Sequence, residues 1–524
     1  MVDEQQHAEI LWVDDEIDLL KSQIQFLESR GYRVTTLTNG PDAVAMVQGK
    51  PFDAVLLDEI MVGMDGIETL RELKAVDASL PVIMVTKSTE ETLMDDAYFG
   101  EISDFLVKPV NPHQILSSLK KVLDLERLRR NRFVGAWGEY YNQAQAVIND
   151  PAATFADWAG LYTKICQARR DIEELNLGAL EQLQNELFLE ANQVFASFAC
   201  ESYPRWVSGE DEERPFLSWN ILDEFVFPHV EAGRRVYFIV VDCLRLDQWL
   251  LLEERVSQLY RIERSLYCGA VPSSTLYARN ALFAGKPPAE IAARYKDGFR
   301  EESGLGESLN RYEEQFLSDH AARHAPKARK IRYYKFANPE QEKKARKIID
   351  TLSPRPLTAF VFNFIDTVTH ESGRGGALDS LAPSTEALPR LALTWYLGSP
   401  LEQLLRKISE DKGAIIILTS DHGSTLTDTP AVVFADKDAT KTPRYWVGRD
   451  LRPEGDGAFL VRHPEEFGLP GDYLAKTYVL AQGNRHLVFS HHLREYHRRF
   501  EGGFYHGGVS LPELVLPVVA MTPK

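Results

Sequence analysis

The sequence predicts a multidomain protein: an N-terminal α/β domain, a three-helix middle domain and a larger C-terminal α/β domain of α/β/α layering. Three observations carry this. Residues 1–120 alternate short apolar runs with amphipathic stretches, the rhythm of a parallel sheet covered by helices. From Pro112 to about Val207 no strand signal appears. From Pro215 the α/β rhythm returns, and its strongest apolar runs lead into acidic residues. A chain of 524 residues exceeds one hydrophobic core, and the expected boundaries are 1–120, 121–214 and 215–524.

The elements follow in order. Strands are expected at Glu9–Val13, Arg33–Leu37, Ala54–Leu57, Pro81–Val85 and Asp104–Val107. Long helices are expected near 112–148, 154–175 and 178–204, punctuated by Asn149-Asp150-Pro151 and Leu175-Asn176-Leu177-Gly178. Phe133, Trp137, Tyr140, Phe155, Trp158, Leu161, Phe188 and Phe195 recur near helical spacing, which suits the core of a bundle better than a cofactor box. Ser208–Arg214 is a polar linker candidate. Later strands are expected at Arg235–Val241, Thr358–Phe364, Ala414–Leu418 and Ala458–Val461. The charge-rich stretch between Lys286 and Pro356 has weak periodicity and reads as an insertion, a cap by its position.

Composition excludes several classes. A net charge of −18 argues against a protein that coats duplex DNA. No apolar run is long enough to span a bilayer, and the acidic N-terminus is unlike a signal peptide, so membrane insertion is not expected and a cytoplasmic location is. Cys166, Cys200, Cys243 and Cys268 are widely spaced without a Cys-x-x-Cys pair, which fits buried thiols in a reducing compartment. No helix-turn-helix is apparent, so direct promoter recognition is not expected.

In the N-terminal domain Asp14 and Asp15 follow the first strand, Asp58 the third, Thr86 the fourth and Lys108-Pro109 the fifth. In an open parallel sheet the carboxyl ends of strands converge on one crevice. Three carboxylates with one ammonium make a pocket suited to Mg2+, where Asp58 can accept a phosphoryl group. One Asp after a strand is commonly a turn residue or helix cap; the full set in order is not. This stretch resembles the response-regulator receiver family, with its flavodoxin-like fold. The resemblance implies that Asp14 and Asp15 bind Mg2+ together with the phosphoacceptor Asp58, that Lys108 contacts the phosphoryl group, and that Thr86 and Phe105 form a switch pair. Met61-Val62-Gly63-Met64-Asp65-Gly66 matches that family's loop after the acceptor.

The C-terminal domain carries Asp242 after its first strand, Pro272-Ser273-Ser274-Thr275, Gly285, Asp366 and His370 at i, i+4, Asp421-His422-Gly423, and His506-Gly507-Gly508. Carboxylates and imidazoles suit zinc, although manganese accepts the same ligands. Two ions can stabilise the attacking and leaving oxygens of a phosphoryl transfer. Each fragment alone is weak: Asp421-His422 fits a turn, and His506 beside glycines fits a loop. The order Asp…Thr…Asp-x-x-x-His…Asp-His…His resembles the alkaline phosphatase superfamily, with Pro272–Gly285 most like its PglZ and nucleotide phosphodiesterase branches. The resemblance implies two Zn2+, one on Asp242, Thr275, Asp421 and His422, the other on Asp366, His370 and His506, and a covalent phospho-threonine. Ser273, Ser274 and Thr275 are equivalent by chemistry; spacing to Gly285 in the family pattern selects Thr275. The sulfatase motif Cys/Ser-x-Pro-x-Arg is absent, and mutases usually present Ser. Arg279, one helical turn on, is the candidate phosphate contact, and a structural ion pair suits it equally.

Two basic stretches interleave aromatics: Arg323-His324, Lys327, Arg329-Lys330, Arg332 and Lys335 with Tyr333, Tyr334 and Phe336; and Arg485-His486, His491-His492, Arg494 and His497-Arg498-Arg499 with Tyr496 and Phe500. Such stretches are usually solvated helix faces, but together they suit a short or cyclic oligonucleotide substrate. Over its full length the chain resembles PorX-type response regulators of type IX secretion. That resemblance implies a membrane histidine kinase and an extracytoplasmic-function sigma factor as partners. The expected mechanism is that phosphorylation draws Thr86 and Phe105 inward, changes the surface of the fourth and fifth receiver helices, and makes a homodimer that completes the phosphodiesterase groove. A non-catalytic adaptor with structural zinc and a phosphomonoesterase are the alternatives.

Overall fold

The computed structural model describes residues 8–77, 79–87, 102–295, 310–328, 331–336, 339–371, 387–435, 439–471, 476–489 and 493–524. The chain divides into two compact units, Met1–Gln143 with Ala168–Leu183 and Ala144–Gln167 with Gln184–Lys524. The residues expected as a separate middle domain are shared between these units.

In the first unit β1 (Glu9–Val13), β2 (Arg33–Leu37), β3 (Ala54–Asp58), β4 (Val82–Thr86) and β5 (Asp104–Val107) form a sheet in the order β2-β1-β3-β4-β5. Every pairing is parallel. This is the flavodoxin-like order, which places the crevice beside β1 and β3 at their carboxyl ends. Alternation fills both faces: Ile10, Trp12, Ala54 and Leu56 pack on one side, Leu11, Val13, Val55 and Leu57 on the other. Helices α1 (Lys21–Glu28), α2 (Gly40–Gly49) and α3 (Gly66–Val76) follow the first three strands. Asn39 and Asp65 cap α2 and α3 by accepting from the Asp42 and Glu68 amides. The fourth receiver helix, whose surface is expected to switch, lies outside the described residues.

Three long helices follow, α4 (Pro112–Ile148), α5 (Phe155–Glu174) and α6 (Gly178–Ser208), and each contributes residues to both units. Their aromatic positions are spent on packing. In the second unit Trp158 meets Phe195 at 5.7 Å, and Tyr203 stacks on Phe467 at the same distance. The polar stretch Ser208–Arg214 is a turn inside that unit, held by Asp211 accepting from the Glu213 amide.

The second unit is built on β6 (Arg235–Val241), β7 (Tyr260–Cys268), β8 (Ile331–Phe336), β9 (Leu357–Phe362), β10 (Ala414–Thr419) and, counting onward, β11 (Thr425–Thr427), β12 (Gly503–Tyr505) and β13 (Val515–Pro523). The central sheet runs β7-β13-β10-β6-β9-β8. Strands β10, β6, β9 and β8 are parallel, and β13 is antiparallel to both neighbours. Strand β6 explains the layering: Val236, Phe238 and Val240 enter one apolar cluster, Tyr237, Ile239 and Val241 the other. A strand covered on both faces reads as a continuous apolar run.

One expectation changes and another holds. The stretch 286–356, read as a capping insertion, supplies the edge strand β8 in its described part, so it belongs to the sheet. Ala458–Val461 is a strand, but it pairs with Thr477–Ala481 in a separate small sheet. Among the described residues no helix is long and apolar enough to cross a membrane.

Phe238→Ala removes a fully buried ring from the central strand. It is expected to cost about 3–5 kcal/mol, seen as a lowered urea midpoint for the second unit; an unchanged midpoint would contradict the packing described.

Candidate functional site

In the first unit the carboxyl ends of β1, β3 and β5 bring Asp14, Asp58 and Lys108 into one crevice. One oxygen each of Asp14, Asp15 and Asp58 lies within 4.8 Å of the others. Lys108 Nζ stands 3.0 Å from Asp14 and 2.8 Å from Asp58. Burial, with the charges of Asp14 and Asp15 and against Lys108, holds the Asp58 carboxyl above its ordinary range. Three carboxylates and one ammonium leave negative charge that a hard cation balances. The Thr86 hydroxyl donates to Glu59, a residue sequence reasoning did not single out. Phe105 is half-buried against the core.

In the second unit the helices α7 (Leu246–Val256), α8 (Thr275–Ala284), α9 (Glu313–His324), α10 (Phe364–Glu371) and the short α11 (Leu511–Leu514) surround the crevice strands. Asp242 follows β6 and Asp421-His422 follow β10. The strand ends at Phe362, two residues before the expected end, and helix α10 starts at Phe364, so Asp366 and His370 lie one turn apart on it. His506 follows β12. Two donor groups result, Asp242 with Asp421 and His422, and Asp366 with His370 and His506.

Around a tetrahedral zinc ion with bonds of ~2.0–2.1 Å, donor atoms stand about 3.3 Å apart. His506 Nε2 is 3.1 Å from His370 Nε2 and 3.5 Å from Asp366 Oδ1, and His370 Nε2 is 3.4 Å from the same oxygen. His422 Nε2 is 3.5 Å from Asp242 Oδ1 and 3.7 Å from Asp421 Oδ2. The rings are oriented from behind: Nδ1–H of His506 donates to the Ser273 carbonyl and that of His422 to the Gly423 carbonyl. Each therefore turns Nε2 into the crevice. The two rings stack at 4.2 Å, which joins the groups.

Electrostatics point the same way. Burial and the Asp242 charge push Asp366 up to about 8 and Asp421 up to about 6. Burial and the neighbouring histidines hold His506 well below its ordinary value. Asp242 Oδ1, Asp366 Oδ1 and Asp421 Oδ2 are buried without a hydrogen-bond donor, an arrangement costing roughly 1–3 kcal/mol per group. Buried, donor-less carboxylates facing imidazole nitrogens fit metal cations.

The three hydroxyls before α8 separate in space. Ser273 Oγ is tied to the Gly508 carbonyl, Glu513 and the Gly507 amide. Ser274 Oγ is buried with no partner. Thr275 is partly exposed, with Oγ1 3.0 Å from His422 Nε2. Gly423 is set by sterics: a Cβ there would lie 1.9 Å from the Pro512 carbonyl oxygen.

Comparison with known proteins bears on this architecture. The family model described as the BREX system PglZ alkaline phosphatase-like domain matches residues 221–521, more than half of the chain. The chain belongs to the PglZ alkaline phosphatase-like family. The response regulator receiver domain model matches residues 10–120. The transcriptional regulatory protein ZraR of Salmonella typhimurium is 37% identical over 116 residues, covering 22% of this chain and 26% of that protein. ResD of Bacillus subtilis is 32% identical over 122 residues, covering 23% of this chain and 50% of that protein. The chain thus spans about a quarter to a half of the length of these curated relatives. Among solved structures, the chemotaxis response regulator CheY4 of Vibrio cholerae is 30% identical and covers 22% of this chain and 100% of that one, with a TM-score of 0.22.

Within the PglZ domain one expected contact is corrected. Arg279, the candidate phosphate ligand, is 2% exposed and enclosed by carboxylates. Its Nη1 is 2.7 Å from Asp242, and its Nε is 2.8 Å from Glu313 and 3.7 Å from Asp421. One turn into α8, its guanidinium is taken up by Asp242 and Glu313. The basic stretches are also partly internal. Lys335 pairs with Glu313 at 3.1 Å and His486 is buried, while the exposed Arg323 and Lys327 donate to the Ala284 and Glu231 carbonyls. Arg332, Arg498 and Arg499 are exposed. Arg329, Lys330, His491 and His492 lie outside the described residues, as do the side chains of Arg494 and Tyr496.

Sequence reasoning missed two groups in the PglZ domain. Glu313 sits in the stretch whose periodicity was weak, and only β8 and α8 bring Lys335 and Arg279 to it. Arg444 and Glu513 form a fully buried pair at 2.5 Å. Glu513 also accepts from Ser273, Ser510 and the Gly508 amide, bracing the loop after His506. The Ser510-x-x-Glu513 spacing is a capping signature that marks it. Arg444→Met leaves Glu513 buried and unpaired, an expected loss of about 3–5 kcal/mol. Adding Glu513→Gln should restore part of it; a urea titration showing no loss in the single variant would refute the brace.

Proposed function

We propose that this chain is a two-component response regulator in which phosphorylation of Asp58 controls a zinc-dependent phosphodiesterase in the PglZ domain, with Thr275 as nucleophile. The observation that carries the reading is Thr275 Oγ1, 3.0 Å from His422 Nε2, partly exposed beside two Asp/His donor groups. Its place in the first turn of α8 adds to this, since the positive end of the helix dipole favours developing negative charge.

In the receiver, Asp14, Asp15 and Asp58 would hold Mg2+, which when bound neutralises the incoming phosphoryl charge. A carboxylate oxygen of Asp58 attacks the phosphorus of a histidine kinase's phosphohistidine; the new P–O bond forms as the P–N bond breaks. Lys108 is placed to pair with the phosphoryl oxygens. The Thr86 hydroxyl must leave Glu59 to follow, with Phe105 turning inward as the second switch residue.

In the PglZ domain, Asp242, Asp421 and His422 would hold one Zn2+ with Thr275, and Asp366, His370 and His506 the other. When bound, such ions lower the pKa of a coordinated hydroxyl and stabilise charge on a transferring phosphoryl group. Thr275 Oγ1 forms the P–O bond as the ester bond to the leaving alcohol breaks, and water then releases phosphate ester from Thr275. Carbonyl acceptors at Ser273 and Gly423 keep both imidazoles in the required tautomer throughout. A structural zinc site closes its coordination and needs no hydroxyl beside it, so a partly exposed Thr275 favours the enzyme over an adaptor.

Short or cyclic oligonucleotides are the proposed substrate class, with exposed Arg332, Arg498 and Arg499 as phosphate contacts. The order of receiver and PglZ domains supports placing the chain with PorX-type regulators of type IX secretion, cytoplasmic, dimeric on phosphorylation and partnered by an extracytoplasmic-function sigma factor. The test is hydrolysis of a chromogenic phosphodiester, its monoester and a cyclic dinucleotide by the full chain with zinc. Thr275→Ala is expected to lower diester cleavage by about 10³-fold or more, and a phosphoryl-donor mimic to raise it in wild type but not in Asp58→Ala. Retained cleavage in Thr275→Ala would remove the nucleophile assignment; zinc binding without any cleavage would favour the adaptor.

A further inference from the structure

The nucleophile helix α8 has a second donor group at its other end. We propose that Asp223, His320 and His324 form a further site for a divalent transition metal of the zinc class, which ties the Leu222–Val226 turn to α9 beside the C-terminal end of α8.

The donors come from two elements. Asp223 sits in the π-helical turn Leu222–Val226, and His320 and His324 occupy i and i+4 of α9, so both rings leave one helix face. One atom from each lies within 4.8 Å of the others. The spacing matches the crevice groups: Asp223 Oδ1 is 3.0 Å from His320 Nε2 and 3.5 Å from His324 Nδ1, either side of the ~3.3 Å expected around tetrahedral zinc. Both imidazoles converge on the same carboxylate oxygen. A single cation satisfies the three donors at once.

Burial separates this group from an ordinary surface pair. The His320 ring is fully buried, and it is Nε2 that it turns to Asp223. The side chains of His324 and Asp223 are 48% and 34% exposed, which leaves an entry path and room for water at the remaining coordination positions. Two nitrogens and one oxygen suit zinc and its neighbours better than calcium or magnesium.

The location suggests the role. Gly285 ends α8 at φ +60°, and a Cβ there would lie 2.0 Å from His320 Cε1, so the imidazole rests directly on the helix terminus. Arg323 donates to the Ala284 carbonyl at 3.1 Å. Cations are favoured at a helix C-terminus. At its opposite end α9 carries Glu313, the partner of Arg279 on α8. A metal at Asp223, His320 and His324 thus fixes the His320 ring against the end of the nucleophile helix, a structural role independent of whether the crevice binds metal.

The test is the zinc content of the full chain, equilibrated at buffered free zinc and measured by elemental mass spectrometry. His324→Ala removes the half-exposed ring and leaves buried His320 in place; Asp223→Asn keeps the shape of the ligand. Each variant is expected to hold one zinc fewer than wild type, with unchanged circular dichroism. Combining His324→Ala with His506→Ala should show the two deficits adding, which separates this site from the crevice. Equal zinc content in wild type and both single variants, from nanomolar to micromolar free zinc, would overturn the proposal.

Discussion

The buried guanidinium of Arg279 is the interaction on which the PglZ crevice depends. Parallel strands that end together necessarily bring the residues after them together, and here those residues are carboxylates. Burial, and after it the charges of Asp242 and Asp421, push Asp366 up to about 8. Arg279 counters this from below, pairing with Asp242 and Glu313 inside the protein. A charge buried this completely is costly unless it is paired, and removing one partner of such a pair typically costs about 3–5 kcal/mol. Since Arg279 and Thr275 lie one turn apart on α8, the ion pair that holds Asp242 also fixes the Thr275 hydroxyl beside His422. Carboxylate and hydroxyl are positioned by one contact.

Much of the fold was legible because buried parallel strands leave strong local signals. The runs at Glu9–Val13, Arg33–Leu37, Asp104–Val107 and Arg235–Val241 coincide with the observed strands. What failed depends on long-range pairing. Strand β8 lies between charged segments and is an edge strand with an exposed side, so it lacks the apolar run that marks β6, and only its pairing with β9 defines it. The long helices were placed well, but amphipathic periodicity says which face is buried and not against what. Their residues accordingly divide between two units and do not form a bundle apart.

The site shows the same division. Residues at strand ends were recognisable, because topology guarantees their convergence. Arg279 was not correctly placed, since whether an arginine one turn into a helix faces solvent or sheet depends on the helix's rotation about its axis. Glu313 and Glu513 escaped because neither follows a strand. Both are acidic residues used as buried acceptors, one for Arg279, Lys335 and Tyr333, the other for Arg444, Ser273 and Gly508. Such roles are set by partners far away in sequence.

Lys108 and Arg279 show how one kind of contact serves two ends. Both place a cation against carboxylates at the carboxyl edge of a parallel sheet. Lys108 is 16% exposed, and its compact ammonium reaches oxygens of both Asp14 and Asp58. Arg279 is closed in on the far side of Asp242, and its planar, always-charged group is held by three acids at once. A compact ammonium within reach of solvent can change partners among the oxygens around it. A guanidinium enclosed by three carboxylates cannot, and the depth of each cation is the feature that distinguishes the two sites.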